Sequence, residues 1–259
     1  SDILSAFSIS KRTRVTMKLA IISGGSRGLG LALGELYQAR QWRVLEFSRS
    51  APHPWSIAAD LAQPEAARRV FAAEFAALAS QPWDEIVVIA NAGVLAPIGP
   101  TSRKDPAEVL ANMQVNFASP VMLMTQAIAA FQALPCRKTL LNISSGAALN
   151  GYAGWSLYCA AKAGLENFVR SVAMEQSTQA WPLRAVNVSP GVIDTEMQAA
   201  IRAASADDFP AVGRFIQRKA DGELRPPSRV AMAVARIADD AKVAGGARVD
   251  VADYLEPAA

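Results

Sequence analysis

The sequence predicts an α/β fold, a single domain on a doubly wound, seven-stranded parallel sheet with helices on both faces. Three observations carry this expectation. Short apolar runs alternate with longer segments of helical pattern, the order that places helices over a parallel sheet. The runs, such as Glu85-Ile86-Val87-Val88-Ile89-Ala90, are almost continuously apolar, as in strands buried on both sides. A glycine-rich turn, Ser23-Gly24-Gly25-Ser26-Arg27-Gly28-Leu29-Gly30, joins the first run to the first helical segment.

Taken in order, residues 1–16 form a polar arm holding Lys11, Arg12 and Arg14, read as a loose tail or an upstream-start extension; the domain is 17–259. Leu19 to Ser23 is a buried strand, and Leu29 to Arg40 a helix. Arg43 to Ser48 is a second strand and Ser56 to Ala59 a short third. Gln63-Pro64-Glu65 opens a helix to about Ala79, with proline in the first turn, where its missing N–H costs nothing. Glu85 to Ala90 is the fourth strand. Asp105-Pro106 starts a long helix to about Leu134, followed by strand Lys138 to Ile143. Trp155 to Gln176 is helical, with a broad apolar side and only Gly164 to weaken it. Strand Arg184 to Val188 follows. Residues 192–226, with Asp207, Asp208 and Pro210, are read as irregular. Helix Ser228 to Asp240 leads to the seventh strand, Ala247 to Val251.

Composition excludes several functions. The 259 residues are 51% hydrophobic and 19% charged, enough for one large core. A net charge of +3 is too small to imply nucleic acid. No apolar run approaches the roughly 18 residues of a membrane span, and no signal-peptide pattern is seen. Cys136 and Cys159 give no disulfide framework, which places the protein in a reducing cytoplasm. His53 lies between two prolines, in a loop, and no Cys/His cluster has metal spacing, so no metal is expected.

The glycine turn has the context that makes such a motif meaningful, a strand before it and a helix after it. Gly24, Gly28 and Gly30 let backbone N–H groups approach a pyrophosphate at the positive end of the helix. In such sheets the adenosine ribose is read at the end of the second strand, where a carboxylate favours a free 2′-hydroxyl. Here that position is Ser48, followed by Arg49, with Arg27 on the glycine turn directed to the same corner. A hydroxyl and two guanidiniums suit a 2′-phosphate, so NADP(H) is the expected cofactor. Glu46, the one nearby acid, comes two residues too early. Asp60 and Leu61, after the third strand, are placed to meet the adenine.

Tyr158 and Lys162 lie four apart on one helix, hence on one face. An ammonium beside a phenol stabilises the phenolate, so the Tyr158 pKa is expected to fall from about 10. Such a group exchanges a proton with an alcohol or carbonyl oxygen near neutral pH. Alone, the same pair also suits a solvated helix face.

With these residues together, the sequence resembles the short-chain dehydrogenase/reductases over roughly Lys18 to Val251, which implies a Rossmann fold. The glycine segment resembles the family's Thr-Gly-x-x-x-Gly-x-Gly, with Ser23 for threonine, and Ala90-Asn91-Ala92-Gly93 its Asn-Asn-Ala-Gly. The resemblance makes Asn116, Ser145, Tyr158 and Lys162 the catalytic set; Ser145, 13 residues before Tyr158, is chosen over Ser144. It assigns the cofactor to Ser23, Gly24, Ser26, Arg27, Gly28, Leu29, Gly30, Ser48, Arg49, Asp60, Leu61, Asn91, Ala92 and Gly93. Tyr158, Lys162, Pro190, Gly191, Ile193 and Thr195 complete that set. The last four lie in Asn187 to Thr195, which is similar to the nicotinamide-holding segment. Gly246-Ala247-Arg248-Val249-Asp250 and Val94-Leu95-Ala96-Pro97-Ile98 are similar to the sepiapterin reductase and benzil reductase group. There Asp250 would anchor a pterin; it equally suits an acid ending an edge strand.

The resemblance implies reduction of a ketone or aldehyde by NADPH. Tyr158 would donate the proton, Lys162 would lower its pKa and hold the ribose, Ser145 would bind the carbonyl oxygen, and Asn116 would position a water. The substrate wall is expected from Leu149, Tyr152, Trp155, Met197 and Asp250, with Val94, Leu95, Ile193, Phe209 and Phe215. Alternatives are an NAD-dependent alcohol dehydrogenase and a catalytically silent dinucleotide-binding protein. Family members pair the Asp105 and Tyr158 helices across a two-fold, so a homodimer or homotetramer is expected. Val109, Met113, Val121, Met122, Met124, Leu165, Phe168 and Val172 are the apolar residues expected to exceed what one sheet contact needs.

Overall fold

The computed structural model describes residues 16–256; the first 15 residues of the arm 1–16, with its basic cluster, lie outside the described residues. Seven strands form one sheet: β1 (Lys18–Ser23), β2 (Arg43–Ser48), β3 (Ser56–Ala58), β4 (Glu85–Ala90), β5 (Arg137–Ile143), β6 (Leu183–Ser189) and β7 (Arg248–Asp250). Their order is β3-β2-β1-β4-β5-β6-β7, every pair parallel. This is the doubly wound, Rossmann-like arrangement that the alternating runs predict. Strand order reverses between β1 and β4, and the register brings Ser23 beside Phe47 on one side and Ala90 on the other. A crevice therefore opens at the carboxyl ends of these strands, where open α/β sheets bind ligands.

Both faces are covered. Helices α1 (Gly28–Ala39) and α8 (Pro227–Asp239) pack on one, around Leu33, Tyr37, Val87, Leu141 and Val234. Helices α2 (Pro64–Ala79), α4 (Ser119–Phe131) and α5 (Ser156–Gln176) pack on the other, around Phe47, Phe71, Phe75 and Phe131. Phe47 meets Phe71 edge-on with centroids 4.8 Å apart. Burying each such ring is worth about 1.5–3 kcal/mol before entropy, which explains why continuous apolar runs form the strands.

Two expectations change. The long helix is α3 (Pro106–Met113), a π-helical turn Gln114–Ala118, then α4, which ends at Phe131 rather than Leu134. Pro120 is the physical cause: it has no N–H for the Asn116 carbonyl four residues back, and its ring crowds that carbonyl. The segment 192–226 is not wholly irregular but holds α6 (Glu196–Arg202) and α7 (Val212–Ala220). Both are short, and Gly213 in the first turn of α7 hides the helical pattern. These helices form a third apolar cluster with Leu95, Trp155 and Tyr158.

Candidate active site

The glycine turn is held by the ends of its neighbours. Gly24 donates to the Phe47 carbonyl at 2.8 Å, and Asn91 Nδ2 donates to the Ser23 and Gly24 carbonyls at 3.1 and 2.9 Å. Ser23 Oγ accepts from the backbone N–H groups of Asn91 and Ala92. Gly24 has φ +71°, and a Cβ there would lie 2.8 Å from Ala92 Cα, so glycine is required twice over. A Cβ on Gly30 would overlap the Gly24 carbonyl oxygen. At the start of α1, Arg27 is extended, no side chain caps the helix and no acid lies in its first turn. Its first N–H groups thus keep their capacity for an anion.

Ser145, Tyr158 and Lys162 meet where β5 ends against α5. Ser145 caps the short 3₁₀ turn Gly146–Ala148, its hydroxyl accepting from Ala147 N–H at 3.1 Å. The neighbouring Ser144 turns away and donates to Glu166 at 2.6 Å. Tyr158 is 8% exposed and Lys162 3%. Lys162 Nζ donates to the Ile143 carbonyl at 2.7 Å and lies 5.6 Å from the centre of the Tyr158 ring. Burial holds the Lys162 ammonium down, to about 8, against an opposing pull from Glu166. Burial likewise pushes the Tyr158 phenol up, to about 12, opposed by the nearby Ser145 hydroxyl. The expectation of a lowered Tyr158 pKa is therefore corrected for the protein alone: desolvation by burial is the largest influence and raises it.

Asn116 sits on the π-helical turn, fully buried. Its Oδ1 accepts from Val94 N–H at 2.9 Å, while Nδ2 donates to the Val94 carbonyl and to Asn112 Oδ1. Asn112, which sequence reasoning missed, donates in turn to the Ala96 carbonyl at 2.7 Å. The two amides hold the loop after β4 against the site. Their four-residue spacing on one helix was the available signal. Glu166 was missed likewise: it continues the Tyr158, Lys162 face by one more turn. Buried, it accepts from Arg248 Nε at 2.8 Å and pairs with Arg170, while Arg248 also donates to the Ser145 carbonyl.

The adenosine corner differs from expectation. The Arg27 guanidinium does not join Arg49 there but pairs with Glu196, at the start of α6. Arg49 is exposed, whereas Ser48 is buried and its hydroxyl donates to Glu46 at 3.1 Å. Asp60 accepts from Ala62 N–H, and the Leu61 carbonyl from Ser119. On the nicotinamide side Gly191 has φ +68°, and Thr195 Cγ2 would stand 3.3 Å from a Cβ on Gly28. Thr195 thus faces the glycine turn across the crevice.

Among the expected wall residues, Leu149 is 61% exposed, Val94 is exposed, and Tyr152, Ile193 and Met197 are half-buried. Leu95, Trp155, Phe209 and Phe215 are buried and form the packing beneath the wall. Trp155 stacks on Phe209 with centroids 4.3 Å apart and meets Tyr158 edge-on at 6.1 Å. Asp250 accepts from Ser189 Oγ at 3.0 Å and from Ala252 N–H at 2.9 Å, beside an open cavity of about 470 Å³ that Arg218, Glu223 and Arg225 also line.

The sequence model of the short chain dehydrogenase family matches residues 18–206. The chain belongs to that family. It is 36% identical over 220 residues to benzil reductase ((S)-benzoin forming) of Bacillus subtilis, covering 83% of this chain and 90% of the relative. It is 31% identical to sepiapterin reductase of Meriones unguiculatus, covering 91% and 96%. The KRED1-Pglu enzyme superposes with a TM-score of 0.77 at 28% identity, over 90% of this chain and 100% of that one. A blue fluorescent protein from a metagenomic library, in complex with NADPH, gives 0.73 at 26%, over 91% and 96%. As a short-chain dehydrogenase the chain is an oxidoreductase using a nicotinamide dinucleotide. The residues present fit that cofactor: an uncapped helix start behind glycines that leave room for a pyrophosphate, and a buried lysine beside a tyrosine. Among the described residues no group of ligands could hold a metal ion, and no helix is long and apolar enough to cross a membrane.

Proposed function

We propose that this protein is an NADPH-dependent carbonyl reductase acting on aromatic ketones and diketones by the Asn116, Ser145, Tyr158, Lys162 mechanism. The observation that carries the reading is the buried Tyr158 with Lys162 held beside its ring by the Ile143 carbonyl, at the foot of the crevice. Bound in the crevice, the dihydronicotinamide supplies the hydride. Ser145 and Tyr158 bind the substrate oxygen, and Tyr158 gives it a proton as negative charge develops. Lys162, kept close by the Ile143 carbonyl, holds the ribose hydroxyls and favours the phenolate left behind. Asn116 fixes the loop after β4 and positions the water that returns a proton through Lys162. The substrate ring lies against Val94, Leu149, Tyr152 and Met197, above the Trp155–Phe209 stack. The benzil reductase relatives support an aromatic diketone, and the mainly apolar wall favours it over a pterin.

Arg49 is the 2′-phosphate contact in this reading, and a homodimer or homotetramer in the cytoplasm its working form. The test is oxidation of NADPH, followed by absorbance, with benzil as substrate. Wild type is expected to turn over, and Tyr158→Phe to lose at least about 100-fold in kcat, in line with loss of a general acid. Equal rates in the two proteins would remove the mechanism.

A further inference from the structure

Glu46 is fully buried in β2 and takes no part in the chemistry above. Its Oε1 accepts from Gly25 N–H in the glycine turn at 2.7 Å. Its Oε2 accepts from the hydroxyls of Ser48 and Ser56. A Cβ on Gly25 would overlap Glu46 Cγ, so carboxylate and glycine turn are in direct contact. One buried acid thus ties the pyrophosphate turn to the residue at the ribose position.

The hydrogen-bond inventory of Ser48 gives this contact a consequence. A serine hydroxyl has one proton and two acceptor sites, while a carboxylate only accepts. Ser48 directs its proton to Glu46, and Ala51 N–H occupies one acceptor site at 3.3 Å. What remains for a ligand is one lone pair. It can accept from a ribose hydroxyl but can give nothing to a phosphate oxygen.

We propose that Glu46 is a specificity-determining positioning residue: by holding the Ser48 proton, it makes Ser48 an acceptor for a free 2′-hydroxyl and so sustains NADH binding against the pull of Arg49 towards NADPH. This deepens the cofactor half of the function proposed above. It does not depend on the carbonyl substrate, because its readout is binding.

The test is the dissociation constant of NADPH and of NADH, each measured by nicotinamide fluorescence, for wild type, Glu46→Gln, Ser48→Ala and the double variant. The amide of Glu46→Gln can keep an oxygen on Gly25 N–H and turn its NH₂ to Ser48, freeing the hydroxyl proton for a phosphate. The ratio of the NADH to the NADPH constant is expected to rise about tenfold in Glu46→Gln, the scale of one hydrogen bond to a charged group. In Ser48→Ala, NADH is expected to weaken about fivefold and NADPH less than twofold, on the scale of one neutral hydrogen bond. With Ser48→Ala already present, Glu46→Gln should leave the ratio unchanged.

Equal weakening of both cofactors in Glu46→Gln would make the residue merely structural and overturn the proposal. So would a ratio shift that survives in the double variant, since it would then arise from charge without Ser48. If Glu46→Gln does not fold, Ser48→Ala decides alone: a loss of NADPH equal to or greater than that of NADH overturns the proposal. Absent turnover with any diketone, alongside the expected ratio shift, would count against the proposed substrate and leave the role of Glu46 standing.

Discussion

Lys162 is a buried cation whose direct hydrogen bond goes to a neutral carbonyl, that of Ile143. Its pKa, held down from 10.5 to about 8, is therefore also a statement about stability. Below pH 8 both folded and unfolded states carry the proton, and the full cost of burying the charge is present. Between about 8 and 10.5 the native state has released it while the unfolded chain keeps it, so stability rises with pH across this window. Lys162→Met removes the effect. Wild type is expected to gain about 3 kcal/mol on the variant between pH 7.5 and 10.5 by urea unfolding. A difference that does not change with pH would mean that Lys162 is not desolvated. Tyr158, raised to about 12, works in the opposite sense above pH 10 and is common to both proteins. Arg49 provides a second residue-scale test. Arg49→Ala is expected to weaken NADPH by about 10- to 100-fold, the range of a charge-assisted hydrogen bond, and to leave NADH nearly unchanged. Equal losses, or a wild-type preference for NADH, would contradict the phosphate contact.

At the scale of elements, the glycine turn was legible because its constraints are steric and local. Gly24 must take a left-handed φ, and Gly30 must let α1 approach the turn. Gly30→Ala would put a methyl group onto the Gly24 carbonyl oxygen and 2.7 Å from Asn91 Nδ2. It is expected to cost about 1–3 kcal/mol of stability as an overpacked contact and to abolish detectable binding of both cofactors; a variant that binds normally would show that the turn can relax. The strands were legible for a similar reason, since burial on both faces leaves little freedom of composition. What the sequence hid depends on side-chain direction. Nothing in Phe47-Ser48-Arg49 says that the Ser48 proton goes to Glu46, or that Arg27 turns to Glu196. The π-helical turn follows from Pro120, but only once the helix is known to continue past it. Tyr158 illustrates the same limit: spacing placed Lys162 beside it, while the depth of burial, which decides its pKa, is a tertiary property.

For the whole molecule, the side of the sheet covered by α2, α4 and α5 leaves apolar surface beyond what its core uses. Met124, Leu165 and Val172, expected on that surface, are buried in the core instead. Met113, Phe117, Val121, Met122 and Phe168 are only half-buried, and Leu110 is 64% exposed. Leu110, Met113 and Phe117 recur at three- and four-residue spacing along α3 and the π-helical turn, so they form a stripe rather than scattered positions. A contiguous exposed apolar stripe marks an interaction surface, and a self-complementary patch about a two-fold is the commonest way to cover one. The expected outcome is a dimer or tetramer by light scattering at micromolar concentration. Leu110→Glu would place charges facing each other or facing apolar side chains across such an interface, and leaves the monomer core untouched because the side chain is already exposed. It is expected to shift the mass towards the monomer with the melting temperature changed only by lost association. A wild-type monomer at these concentrations would remove the oligomer from the reading. A variant that keeps the wild-type mass would move the interface away from α3.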